Sequence, residues 1–153
     1  APALCDLLNL VELDLGGNEG LGGSAASWAH YFKKMKNLQK LHLSDCSLTG
    51  EDMTHIAPAL CDLPNLVGLN LDGNKGLGGC AASWAHHFKK MMNLQHLYLM
   101  QCSLTDEDMT HHLSSFNHST PSSQCLRYHV VNASTQYTAS SVHSCSTIHN
   151  LCS

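Results

Sequence analysis

The chain repeats itself. Positions 57–111 copy positions 1–55, and 42 of those 55 pairs are identical. A period half as long runs inside that unit, through LVELDLGGNEGL from Leu10, LQKLHLSDCSLT from Leu38, LVGLNLDGNKGL from Leu66 and LQHLYLMQCSLT from Leu94. Repetition at this spacing constrains a chain more than any local propensity does. A unit of that size cannot bury its own apolar side, so it must stack on its neighbours. All four phrases fit L-x-x-L-x-L-x-x-[NC]-x-L, and Asn18, Cys46, Asn74 and Cys102 alternate at the ninth position.

The chemistry of each phrase predicts its local structure. In Val11-Glu12-Leu13-Asp14-Leu15 apolar residues alternate with polar ones, the two-residue period of a strand buried on one side. Such strands, one per repeat, should lie parallel and about 4.8 Å apart. Gly16, Gly17, Gly20, Gly22 and Gly23 follow, and predict a tight bend through backbone angles closed to other residues. A helix over Ser24–Met35 should then carry Trp28, Phe32 and Met35 on one face. In the alternate unit Thr49 reads as an N-cap, Glu51 and Asp52 suit the first turn, and Met53, Ile56, Leu60 and Leu63 face the core. Pro58 should kink or shorten that helix. A helix is about 10 Å across, twice the strand spacing, so the stack must curve with its helices outside.

These phrases resemble the ribonuclease-inhibitor-type leucine-rich repeat, whose units alternate Asn and Cys at the ninth position. The resemblance covers about residues 1–112. It implies an α/β fold, a leucine-rich-repeat solenoid forming a horseshoe segment with a concave parallel sheet and convex helices. Four 28-residue units would fill residues 1–113, truncated at the N-terminus. It also implies that Asn18 and Cys46 turn inward and cap backbone groups of the loop. Ala1–Leu7 copies Ala57–Leu63 without the preceding cap and first turn, and the initiator Met is missing, so a true N-terminus is expected to be lost. Uncapped repeats predict end-to-end self-association.

The two long copies differ where a partner would touch them. Strand parity turns Leu13 and Leu15 inward, which places Glu12, Asp14 and Gly16 on the concave side with Gly17 at the rim. Lys40, His42, Ser44 and Asp45 are the equivalents in the second strand. Seven of these eight positions change in the second copy, to Gly68, Asn70, Asp72, His96, Tyr98, Met100 and Gln101, against six of the other 47. Free drift of exposed positions would also have altered helix residues such as His30, Lys33 and Lys34, which are unchanged. A diversified binding surface is therefore expected at Glu12, Asp14, Lys40, His42, Asp45, Asn70, Asp72, His96, Tyr98, Met100 and Gln101. Tyr98, His96 and Met100 have the large, soft side chains of binding hot spots.

Composition excludes other classes. A net charge of −4 gives no general basic footprint for nucleic acid. No apolar run reaches the length of a membrane span. Cys5 with Cys61, and Cys46 with Cys102, are equivalent positions of the two copies, so reduced thiols in a cytoplasmic protein are expected rather than a disulfide framework. The twelve histidines include His86-His87 and His111-His112, but neighbours on a helix point about 100° apart, and neither Cys-x-x-Cys nor His-Glu-x-x-His occurs. No metal site or cofactor is expected. Gly20-Leu-Gly-Gly-Ser-Ala25 imitates a dinucleotide fingerprint, yet Leu21 is a repeat core position and the loop recurs at 76–81. No nucleophilic triad is recognisable, and no enzymatic activity is expected.

The repeat breaks at His112. Residues 114–153 hold fifteen Ser or Thr and one charged side chain, Arg127, and read either as a disordered tail or as a gene-model artefact. The expected function is protein–protein recognition. Paired repeats of this kind are similar to the ligand-sensing region of NACHT-type innate immune receptors. A stand-alone inhibitor or regulatory scaffold, of the ribonuclease-inhibitor or GTPase-activator kind, and a nonfunctional fragment are the alternatives.

Overall fold

The computed structural model describes residues 8–91 and 93–113, together with the backbone of three short strands beyond them. Most of the Ser/Thr-rich tail, with its expected disorder, lies outside the described residues.

Each repeat phrase forms a strand: β1 Glu12–Asp14, β2 Lys40–His42, β3 Gly68–Asn70 and β4 His96–Leu99. They pair in parallel and in chain order, with Glu12, Lys40, Gly68 and His96 in one register row. β5, Arg127–Val130, continues the sheet beside β4 with Arg127 opposite His96, while β6 Tyr137–Thr138 and β7 His149–Asn150 pair antiparallel. Helical segments cover one face of the parallel sheet. The result is a mixed α/β fold, and Leu41, Leu43, Leu69, Leu71, Leu97 and Leu99 are sealed between the layers. Each contributes roughly 1.5–3 kcal/mol by leaving water. Leu13 and Leu15, the same positions in β1, are only half-buried because β1 receives packing from β2 alone among the described strands.

The expected Ser24–Met35 helix is not one α-helix. α1 spans Ala25–Trp28, and a 3-10 helix takes over at Ala29–Lys34; the second copy does the same, with α3 Ala81–Trp84 followed by Ala85–Lys90. A 3-10 turn is slimmer and rises about 2.0 Å per residue against 1.5 Å, so it reaches the next strand while packing closer to its neighbour. The apolar stripe survives the change: Phe32 and Met35 are buried, and Trp28 meets Phe32 edge-on at 5.6 Å. α2 runs Gly50–Leu60 and buries Met53, Ile56 and Leu60. Pro58 lies inside it, and the helix stops two residues later. After β4 the chain turns through a π-helix at Asp108–Leu113.

Two loop expectations also change. Of the five glycines after β1, only Gly17 and Gly23 adopt positive φ (76° and 74°). Gly22 is needed for a different reason, because a Cβ there would fall 2.0 Å from the Ser47 carbonyl oxygen, whereas Gly20 faces open space. The ninth-position residues behave unequally. Asn74 is sealed, donates to the Leu43 and Leu71 carbonyls, and accepts from the amides of Cys46 and Leu48. Asn18 bonds the Leu15 carbonyl in an exposed setting. Cys46 and Cys102 are free, buried thiols that donate to the carbonyls of Leu15 and Leu71, and burial pushes the Cys102 thiol up to about 12.

Candidate functional site

The helices leave the other face of the sheet open, and strand alternation assigns every second residue to it. In register, Glu12, Lys40, Gly68 and His96 make one row and Asp14, His42, Asn70 and Tyr98 the next. Burial agrees with this parity: Leu41, Leu69 and Leu97 are fully buried, while their strand neighbours are half-buried or exposed.

Polar contacts knit the β1–β2 side together. Glu12 sits between two partners, 3.2 Å from His42 Nε2 and 3.9 Å from Lys40 Nζ. These groups are solvated, so the pair adds little stability, but it places the Lys40 ammonium beside Glu12 at the edge of the open face. On the β4 side the rings of His96 and Tyr98 lie 6.3 Å apart and nearly parallel, at 18°. Three carboxamide or carboxylate groups are occupied by backbone: Asp14 accepts from Gly16 N, Asn70 from Asp72 N, and Asp72 from Met100 N.

Between these two sides is a hollow of about 220 Å³. It is bounded by Glu12, Lys40 and His42 on one flank and by His96 and Tyr98 on the other, with Asn70 and the backbone of Val67–Leu69 beneath. Six of the eleven expected site residues thus meet around one depression. Asp14, Asp72 and Met100 share the face without lining it, and Asp45 and Gln101 stand beyond the strand ends at the rim. Gly68 stands among the changed open-face positions but not among the expected binding residues, although it occupies the register position of Glu12 in the other copy and its missing side chain opens the hollow.

Asp45 and Gln101 have a second peculiarity. Both adopt left-handed backbone, φ 52° and 56°, at the register position where Gly17 and Gly73 show φ 76° and 75°. The fold demands that conformation here, and the two non-glycine residues take on its strain to put a polar side chain at the rim.

A second hollow, of about 250 Å³, lies on the helical side among Ala29, His30, Lys33, Thr54, His55 and Pro58. All of these but Pro58 recur unchanged one copy later. Among the described residues no group of three His, Cys, Asp or Glu is placed to hold a metal ion, and no helix is long and apolar enough to cross a membrane.

A Leucine Rich Repeat family model matches residues 37–62. Among solved structures, actin-binding site 2 of leiomodin-1 superposes with a TM-score of 0.69, covering 84% of this chain and 77% of that one at 11% identity. The C-terminal domain of tropomodulin from Caenorhabditis elegans superposes with a TM-score of 0.63, covering 86% and 83% at 11% identity. At that identity the likeness is one of fold, so the chain carries a leucine-rich repeat within an α/β architecture of leucine-rich-repeat kind.

Proposed function

We propose that the open face of the sheet recognises another protein, and that the chain is the ligand-sensing repeat region of a cytoplasmic innate immune receptor of the NACHT type. In this reading the repeats are of the ribonuclease-inhibitor type and build a horseshoe segment, with the sheet concave and the helices convex. One observation carries it: change between the two copies is concentrated on the open face, at seven of eight positions, while the helical side is nearly constant. Drift without selection for contact would not respect that boundary. Among the described residues, the free thiols Cys46, Cys61, Cys80 and Cys102 support a reducing compartment.

A second reading, a regulatory scaffold, draws on a different observation. The leiomodin-1 segment that shares this fold is named for binding actin. Fold likeness alone does not transfer a ligand, but it favours a protein partner in both readings.

The test is an interaction screen of the full chain against cell extract, repeated with Tyr98→Ala and with Lys89→Ala. Tyr98→Ala should weaken capture of a true partner at least tenfold, and Lys89→Ala should leave it unchanged. The reverse pattern would move recognition to the helices. Whether the partner is a pathogen-derived ligand or a cytoskeletal protein separates the receptor from the scaffold.

A further inference from the structure

We propose that the hollow over Gly68 is a slot for one aromatic side chain of the protein partner, inserted edge-on between Lys40 and His96. The inference rests on the open face being the recognition surface.

Nothing in the backbone requires glycine at position 68. Its φ is not in the left-handed region, and its strand keeps unbroken register with β2 and β4, so there is no bulge. A Cβ would meet nothing closer than Lys40 Cγ at 3.8 Å, an ordinary contact. Glycine inside a strand weakens it, and one without a bulge or bend marks a place where another group approaches the backbone closely. The other copy holds Glu12 at this register position, so a side chain is compatible with the fold.

Dimensions and chemistry select the occupant. β2 and β4 flank β3 at about 4.8 Å each, leaving about 9.6 Å between the Lys40 and His96 positions. A planar group needs about 3.5–4 Å of separation from each wall, so one ring fits between them and two do not. The His96 and Tyr98 rings line one side, and Lys40 offers an ammonium and an aliphatic stem on the other. An arginine would bring its charge against Lys40. A carboxylate would have to displace Glu12 from Lys40 and His42. An aromatic ring meets both walls favourably and disturbs neither contact.

The experiment uses the full chain, ¹⁵N-labelled, titrated with N-acetyl-tyrosine amide and, separately, with the arginine and aspartate analogues. The tyrosine probe should move the amide signals of Gly68 and His96 most, and Gly68→Val, which fills the slot, should weaken that response at least fivefold. Gly68→Ala provides a second, smaller filling should the valine variant fold poorly. Larger shifts at Gly68 with the arginine or aspartate probe, or a tyrosine response indifferent to both substitutions, would overturn the slot. Random peptides selected on the chain should share one Phe, Tyr or Trp and bind Gly68→Val at least tenfold more weakly. Peptides that shift Lys40 and Tyr98 yet lack an aromatic and tolerate Gly68→Val would overturn the slot and leave the recognition face standing. Peptides that shift only helix residues would remove both.

Discussion

Asp52 in the first turn of α2 accepts a hydrogen bond at 2.8 Å from the backbone N–H of Gly23, which lies one repeat earlier in the chain. The same carboxylate accepts from Ala25 N at the start of α1 and closes a capping box with Thr49. One side chain therefore satisfies the entry of its own helix and that of the preceding one. Asp108 repeats the arrangement with Gly79, Ala81 and Thr105.

Asp52→Ala should cost about 2–4 kcal/mol, more than an ordinary N-cap, because the buried Ala25 amide and the part-buried amides of Gly23 and Thr49, in two repeats, lose their acceptor together. Denaturant titration of the variant checks this. A loss below about 1 kcal/mol would mean water replaces the carboxylate easily.

The same contacts give the protein an acid limit. Burial alone would raise the carboxyls of Asp52 and Asp108, but the hydrogen bonds from Gly23, Thr49 and Ala25, and from Thr105, Gly79 and Ala81, outweigh it and hold both below the ordinary 3.8. The unfolded chain therefore takes up these protons first. Their stabilisation is fully present above the ordinary carboxylate range and is lost as pH falls through the lowered folded-state values. Melting temperature measured from pH 7 down to about 3 should fall on the acid side, and Asp52→Asn with Asp108→Asn should flatten that limb. An acid limb as steep in the double variant as in the parent would place its origin elsewhere.

Cys80→Ser should stabilise the protein. Trp28 donates its indole N–H to Ser24 Oγ at 3.1 Å, but in the second copy Cys80 replaces that serine, and the sealed Trp84 indole nitrogen has no acceptor among the described residues. Restoring the hydroxyl should contribute about 1 kcal/mol and raise the melting temperature by a few degrees. Ser24→Cys should do the opposite. Equal melting points for Cys80→Ser and its parent would show that Trp84 gains nothing from the hydroxyl.

Asn18 and Asn74 are the same residue at the same repeat position, yet their removal should differ severalfold. Asn74→Ala strands the amides of Cys46 and Leu48 and the Leu43 carbonyl in a sealed layer, at about 2–4 kcal/mol. Asn18→Ala removes one exposed bond to Leu15 and should stay near 0.5 kcal/mol, roughly the scale of a surface change. Equal losses in urea titrations would contradict the stacking order.

Gln101→Gly should raise stability by about 1 kcal/mol, since glycine adopts the left-handed backbone at that rim position without strain. The reciprocal Gly73→Ala should lower it, because φ is +75° and a Cβ would fall 2.0 Å from Asp45 Oδ1. If Gln101→Gly also weakens partner binding, the strain at the rim is retained for contact.

Much of this structure was legible as periodicity. The two-residue alternation in each phrase dictates which leucines face inward, and the 28-residue spacing dictates which strands are neighbours, because both follow from local sterics and regular stacking. The open-face set, including Lys40, His42, His96 and Tyr98, follows from the same parity. What periodicity could not reveal depends on groups a whole repeat apart in the chain coming into contact. Asp52 looked like a favourable charge in a helix's first turn, and only stacking brought Gly23 and Ala25 onto it. Asn18 and Asn74 are indistinguishable in the sequence; one is sealed because the preceding described repeat packs over it, and the other has the exposed setting of β1. The α-to-3-10 switch at Trp28 and again at Trp84 is a feature that no helix propensity encodes. Gly68 was visible as a difference between copies, but a missing side chain becomes a hollow only when the walls on both sides are in place. Local sequence therefore decided the elements and their facing, and the packing of each repeat on the next decided which polar groups are satisfied and where the surface opens.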